Sequence, residues 1–191
     1  MRKLSNSELN RISVEEYKII EKLPIVIVLD NIRSSNNIGS VFRTADAFRI
    51  ECIHLCGITS TPPNKEIQKT ALGSTSSVEW KYFENTIESI KQLKNEGYLI
   101  YSIEQADESC KLDTYIPEIG KKIALVFGNE VKGVGNKIIE LSDKCIEIPQ
   151  FGTKHSLNIS VSAGIVIWDF FKKLYPENLK KHNFNICSSG N

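Results

Sequence analysis

Three observations predict an α/β fold with a mostly parallel sheet flanked by helices. Ile25-Val26-Ile27-Val28-Leu29 and the stretch from Ile123 to Phe127 are continuous apolar runs of the kind that form strands buried on both faces. Segments with helical spacing alternate with such runs along most of the chain. Polar, glycine-bearing breaks follow several of the strands, at the sheet end where open α/β folds collect ligands.

Taken in order, Ser5 to Lys22 reads as helical, with Leu9, Ile12, Tyr17 and Ile20 as a loose apolar stripe and Ser13-Val14-Glu15-Glu16 as a capping box. Pro24 ends it, and the Ile25–Leu29 strand follows. After the polar turn from Asp30 to Asn37, Ile38 to Phe48 has helical spacing. Glu51 to Leu55 is a short strand, Gly57 to Asn64 a loop, and Lys65 to Leu72 a short helix. Val78 to Phe83 reads as a strand. Asn85 to Glu96 is a helix with Ile87, Ile90 and Leu93 on one face, closed by Gly97 as its C-cap. Strands at Tyr98 to Ile103 and Ile123 to Phe127 come next, separated by a polar segment with Pro117 and Gly120. A helix from Gly133 to Leu141, a strand from Cys145 to Ile148 and an apolar helix from Leu157 to Leu174 complete the pattern. This divides the chain into a helical extension (1–23), one α/β domain (24–174) and a loose tail (175–191).

Composition narrows the function classes. The chain has 191 residues, with 24 Lys and Arg against 23 Asp and Glu, and is 41% hydrophobic. A chain of that size buries about 70% of its unfolded surface, enough for a real core. No stretch approaches the roughly 20 apolar residues of a membrane span, and the first residues lack a secretory pattern, so a cytoplasmic protein is expected. A formal charge of +1 excludes a strongly basic domain, which leaves nucleic-acid binding to local patches. The five cysteines form no disulfide framework. Cys52 and Cys56 flank His54, but without a second pair they read as buried strand residues, and no metal is expected.

Familiar catalytic motifs fail. Gly128 to Gly133 has the spacing of a phosphate-binding loop, but Val134 and Gly135 stand where Lys and Ser or Thr are needed. No dinucleotide fingerprint follows the first strand and no nucleophile elbow occurs. What remains is three polar clusters at strand ends: Asp30 to Asp46, Phe127 to Val134, and Ile146 to Ala163. Singly, each has a bland reading: Asn-rich turns cap helices, Arg43 could pair with Asp46, and Ser156 could cap the last helix. Jointly, glycines that expose backbone beside Asn, Glu, Arg and Ser are what a small-ligand site with a polar substrate requires.

These clusters resemble the SpoU, or TrmH-type, branch of the SPOUT RNA methyltransferases. The first reads D-N-x-R-x-x-x-N-x-G-x-x-x-R-T-A-D-A from Asp30, the second G-N-E-x-x-G from Gly128, the third I-P-x-x-G from Ile148 and S-L-N-x-S-V-x-A-G from Ser156. Three ordered motifs spanning about Val26 to Phe171 are a specific signal. The resemblance implies a deep C-terminal trefoil knot, S-adenosyl-L-methionine as methyl donor, a homodimer whose active sites use both subunits, and 2′-O-methylation of ribose in structured RNA. With only a short segment before the first strand, a compact member acting on tRNA is expected, with rRNA the next choice.

Carried over by residue, the resemblance makes Arg43, Asn37, Glu130, Ser156 and Asn158 the catalytic set. It places the donor around Ile103, Phe127, Gly128, Ile148, Leu157 and Ser156. Arg43 suits phosphate binding and stabilisation of negative charge on the ribose oxygen, since a guanidinium keeps its proton. RNA needs phosphate contacts. Arg33, Lys132 and Lys154 are the first candidates, followed by Arg49, Lys65, Lys69, Lys172, Lys173, Lys180 and Lys181. The alternative is a catalytically silent RNA-binding or assembly protein on the same fold. All five catalytic-set residues are present, which argues against it.

Overall fold

The computed structural model describes residues 1–9 and 11–175. The tail from 176 onward, with Lys180, Lys181 and Cys187, lies outside the described residues. Among the described residues, seven strands form one sheet: β1 (Leu23–Asp30), β2 (Ile50–Cys56), β3 (Glu79–Phe83), β4 (Tyr98–Ile103), β5 (Cys110–Lys111), β6 (Lys122–Phe127) and β7 (Lys144–Glu147). Their order is β3-β2-β1-β6-β4-β7-β5, and every recorded pairing is parallel. Six α-helices accompany them among the described residues: α1 (Val14–Ile19), α2 (Ser35–Ala47), α3 (Lys65–Ala71), α4 (Thr86–Asn95), α5 (Asn136–Leu141) and α6 (Ile159–Leu174).

Strand alternation sorts the core into two layers. Ile25, Ile27, Leu29, Ile53, Leu55, Leu125 and Phe127 join one cluster with Phe42 of α2 and Phe170 of α6. Val26, Val28, Cys56, Ile100 and Val126 join the other, with Ile90 of α4 and Ile138 of α5. Burial on both faces is why these strands read as unbroken apolar runs. Among the described residues, no helix is long and apolar enough to cross a membrane.

The structure corrects several sequence expectations. Helix α2 begins at Ser35, three residues before the expected Ile38, because Ser34 caps it. The Ser5–Lys22 helix shrinks to a 3₁₀ turn at Asn6–Leu9 and the six-residue α1. The Ser13–Glu16 capping box forms, but Ile12 and Ile19 are exposed and only Tyr17 of α1 is buried, too little packing for a long helix. Helix α5 begins at Asn136, because Gly133 is held in a bridge to Asn129. Helix α6 begins at Ile159, with Asn158 as its N-cap in place of Ser156. Strand β5, two residues long, carried no pattern that sequence could show. The bland pairing of Arg43 with Asp46 is also absent: Asp46 accepts a hydrogen bond from the Ser77 hydroxyl.

His54 is buried in β2, and its Nδ1 lies 2.8 Å from the Ser89 hydroxyl of α4. Burial, with Lys81 nearby adding to it, lowers its pKa to about 4. Unfolded, it titrates near the ordinary value of about 6.5. Between those values the unfolded chain binds a proton that the folded chain refuses, so stability falls as pH drops through this window. The loss expected by pH 4 is about 3 kcal/mol. Urea midpoints measured from pH 7 to pH 4 should fall more steeply for wild type than for His54→Gln; parallel curves would contradict this.

Candidate active site

Strand β1 ends at Asp30, and the turn that follows is pinned from both sides. Asn31 adopts a left-handed conformation (φ 56°). Its N–H donates to the Cys56 carbonyl at 3.2 Å, and its Oδ1 accepts from the Ile58 N–H at 3.2 Å. The Thr59 hydroxyl donates to the Leu29 carbonyl and accepts from the Ile32 N–H. Ser34 then caps α2, accepting from the Asn37 N–H at 3.3 Å. Half-buried Asn129 supports the turn from below: its Nδ2 donates to the Asn31 carbonyl at 2.6 Å.

Onto this turn closes the β6–α5 loop. The Glu130 carboxylate accepts from the amides of Arg33 (3.0 Å) and Ser34 (3.1 Å) and from Asn37 Nδ2 (3.2 Å). Asn37 Oδ1 in turn accepts from Asn158 Nδ2 at 3.2 Å, while Asn158 Oδ1 accepts from the Ser160 N–H at 2.9 Å. One chain of hydrogen bonds thus joins the three polar clusters. Partial burial pushes the Glu130 carboxyl up, but the amides of Arg33, Glu130 and Ser34 and the Asn37 side chain outweigh it and hold the pKa below the usual carboxylate range. Glu130 is therefore ionised at neutral pH and committed to holding two loops together.

Glu130→Ala should leave two backbone amides without their acceptor and release Asn37. The expected cost is about 1 kcal/mol in thermal or urea unfolding. Glu130→Gln should not rescue it, because one oxygen becomes an N–H donor facing donors. Full stability in Glu130→Ala would show that the clamp is decorative.

The ends of β4, β6 and β7 lie side by side. Ile103 pairs in register with Phe127 of β6 and with Ile146 of β7. Ile103 and Ile148 are half-buried against the core beneath them. Gly128 follows Phe127 where a Cβ would overlap the backbone of Gly133 and Val134, so only glycine fits the strand against its own returning loop. Gln105 Nε2 donates to the His155 carbonyl at 3.0 Å, which ties the β7–α6 loop to the end of β4. Ser156 and Leu157, in that loop, are exposed. Ser156 makes no recorded hydrogen bond with any described residue.

Arg43 stands apart from this group. Six residues beyond Asn37 on α2, it is turned about 120° around the helix axis from it. It is exposed and has no hydrogen-bond or ion-pair partner among the described residues. The structure thus joins Asn37, Glu130 and Asn158, sets Ile103, Phe127, Gly128 and Ile148 at neighbouring strand ends, and leaves Arg43 on a different face.

Of the candidate phosphate contacts, Arg33, Lys132 and Lys154 are exposed beside these loops. Two others are engaged within the chain. Lys173 donates to the carbonyls of Leu112 and Tyr115, both at 2.7 Å, and pairs with Asp169, so it anchors the segment around β5 to α6. Arg49 donates to the Tyr175 hydroxyl at 3.1 Å. Sequence reasoning missed Glu104, whose carboxylate accepts from the Val134 N–H at 2.9 Å and steadies the Gly128 loop. Its place directly after β4 was the available signal. No group of three or more metal-ligating side chains occurs among the described residues.

A sequence model described as the SpoU rRNA Methylase family matches residues 24–168. The chain belongs to that family. A protein of Borreliella burgdorferi named an uncharacterized tRNA/rRNA methyltransferase is 36% identical over 78% of this chain and 64% of its own length. The 23S rRNA (guanosine-2′-O-)-methyltransferase RlmB of Neisseria meningitidis serogroup B is 32% identical over 90% of this chain and 68% of its own. The chain therefore spans about two thirds of the length of these relatives. Among solved structures, the AdoMet-bound rRNA methyltransferase of Sinorhizobium meliloti superposes with a TM-score of 0.75 at 26% identity, covering 84% of this chain and 61% of the other. The TrmH/SpoU tRNA-modifying enzyme of A. aeolicus gives a TM-score of 0.73 at 26% identity, covering 89% and 82%. The α/β fold with its parallel sheet is that of these methyltransferases.

Proposed function

We propose that the chain is an S-adenosyl-L-methionine-dependent RNA methyltransferase acting on a ribose 2′-oxygen of tRNA. The observation that carries this reading is the hydrogen-bonded chain Glu130–Asn37–Asn158, which draws three motifs of the family to one end of the sheet. The tRNA assignment is supported by the tRNA-modifying neighbour, matched over 82% of its length against 61% for the rRNA enzyme. The reading places the protein in the cytoplasm with its RNA.

The strand ends fit the donor by their chemistry. Ile103 and Ile148 offer half-buried apolar surface, Gly128 leaves backbone accessible, and Ser156 and Leu157 lie in a loop tied back across them. Such a set suits an adenosyl group, held by apolar walls and main-chain groups. When bound, the donor supplies an electrophilic methyl on a sulfonium. The protein's task is to align the ribose oxygen with it and to stabilise the charge as that oxygen loses its proton. Asn37 and Asn158 are positioning groups held by Glu130, and Ser156 is placed to meet donor or ribose. Arg43 orients the adjoining phosphate and stabilises developing charge.

Two structural proposals accompany this. The passage of the chain from β6 back beside β4, with the Glu104 N–H donating to the Ile146 carbonyl at 3.1 Å, supports a trefoil threading at the C-terminal end. The outward position of Arg43 supports a homodimer in which it serves the partner's site. Exposed Phe151, Val161, Ile165 and Trp168 offer an apolar face for that contact.

The test is transfer of labelled methyl from the donor to bulk tRNA and to rRNA, mapped by resistance of the modified ribose to alkaline cleavage. Label at one ribose of tRNA is the expected result. Label confined to rRNA corrects the substrate, label on a base contradicts the chemistry, donor binding without any transfer points to an RNA outside these two classes, and no donor binding at all favours a silent RNA-binding protein.

A further inference from the structure

A second concave site lies on the outer faces of α2 and α3. Gly39 lets the two helices touch, since a side chain there would overlap the Thr70 hydroxyl and the Ile67 carbonyl. Between the helices lies a groove of about 520 Å³ lined by Ser40, Arg43, Thr44, Phe48, Lys69 and Thr70. That volume falls within the range of small-ligand sites, about 300–1,000 Å³.

The groups in it are unevenly supplied. Arg43 and Lys69 reach it from different helices, and neither has a hydrogen-bond or ion-pair partner among the described residues. No carboxylate lines it. Its hydroxyls are already spent as donors: Ser40 to the Asn36 carbonyl at 2.9 Å, Thr44 to the Ser40 carbonyl at 3.0 Å, and Thr70 to the Asn36 carbonyl at 3.0 Å. Their oxygens keep only acceptor capacity. The groove therefore offers two cations to an anion and several acceptors to neighbouring hydroxyl groups. A phosphodiester flanked by ribose hydroxyls has that complement, and Phe48 adds an apolar wall for the sugar. A cation near the C-terminal end of a short helix is welcome on dipole grounds alone. What distinguishes Lys69 is that it shares its groove with Arg43.

We infer that this groove seats a phosphodiester and adjoining ribose of the RNA strand, with Lys69 a positioning residue that shares the phosphate with Arg43. The inference rests on reading the chain as an RNA methyltransferase. Lys69 adds a second cationic grip on the phosphate that Arg43 already orients, and it takes no part in the transfer itself. The cost of losing it therefore falls on RNA affinity.

The experiment compares the full chain with Lys69→Ala, Lys69→Arg and Lys91→Ala, an exposed lysine of α4 on the opposite face of the sheet. Methyl transfer to the RNA that wild type modifies, donor binding, RNA binding against salt and oligomeric state are measured for each. For Lys69→Ala the expected result is a KM for RNA raised about tenfold, with kcat and donor affinity within about twofold. The salt slope of RNA binding should fall by about one, as one phosphate contact is lost. Lys69→Arg should recover most of the affinity, and Lys91→Ala should match wild type. An unchanged KM in Lys69→Ala overturns the inference, as does an equal loss in Lys91→Ala, which would mark a general charge effect. Dissociation of the oligomer by Lys69→Ala overturns it too, making the groove a subunit contact. Wild type that modifies no RNA overturns the underlying reading, and that failure shows in the wild-type arm alone.

Discussion

Arg43→Ala is expected to slow methyl transfer at saturating RNA and donor by about 10²–10³-fold, the cost of removing a charge-stabilising group from the transition state. Donor affinity should stay within about twofold, because Arg43 lies on the groove face of α2 and not at the strand ends where Ile103, Gly128 and Ile148 gather. Folding should be unaffected, since the side chain is exposed and unpartnered among the described residues. Arg43→Lys separates charge from geometry. A lysine keeps the charge but loses the planar fork that grips two phosphate oxygens at once, so it should recover only a minor part of the rate. Near-normal turnover in Arg43→Lys would show that the fork has no part in the reaction. Calorimetry for donor binding and steady-state transfer assays provide both readings.

Gly128→Ala is expected to damage binding and stability together. The new Cβ would overlap backbone atoms of Gly133 and Val134, which no rotamer change can relieve. Those atoms are themselves held: Gly133 exchanges two hydrogen bonds with Asn129 (3.1 and 2.8 Å), and the Val134 N–H is bound by Glu104. The strand end and its loop must separate, at about 1–3 kcal/mol of overpacking. Donor groups and Glu130 then move out of place, and a displacement near 1 Å costs on the order of 10²-fold in turnover. The checks are the urea midpoint, donor affinity and the rate. A variant that keeps all three would contradict the close approach of strand and loop at Gly128.

Much of this was legible in the sequence because burial on both faces leaves an unmistakable trace. The runs at Ile25–Leu29 and Ile123–Phe127 named strands at the heart of the sheet, and Asn85 opens a helix where its side chain accepts from a free amide. The Asn37–Glu130–Asn158 set was readable as three motifs, but not as a chain of hydrogen bonds. Glu130 binds amides roughly a hundred residues away, and no local pattern encodes such a contact. The same holds for Glu104 beneath the Gly128 loop. Lys173 misled because a lysine near a chain end usually faces water; here it is consumed by two carbonyls and Asp169. The N-terminal helix was overextended because only Tyr17 of its apolar stripe packs on the core while Ile12 stays exposed, and a helix packed at one residue gains too little to lengthen. Strand β5 is set by its neighbour β7, not by its own two residues.

The proposed active site is composite, with the donor end and the Asn37–Asn158 chain on one subunit and Arg43 supplied by the other. It is tested most directly by mixing two inactive variants, Arg43→Ala and Asn158→Ala, under conditions that let subunits exchange, and measuring methyl transfer. If the halves lie on different subunits, each mixed dimer has one intact site, and an equal mixture should recover about a quarter of wild-type activity by random pairing in a two-fold dimer. If Arg43 serves its own subunit's site, every site in the mixture carries a defect. Activity would then stay at the level of the separate variants, and the composite site would be wrong.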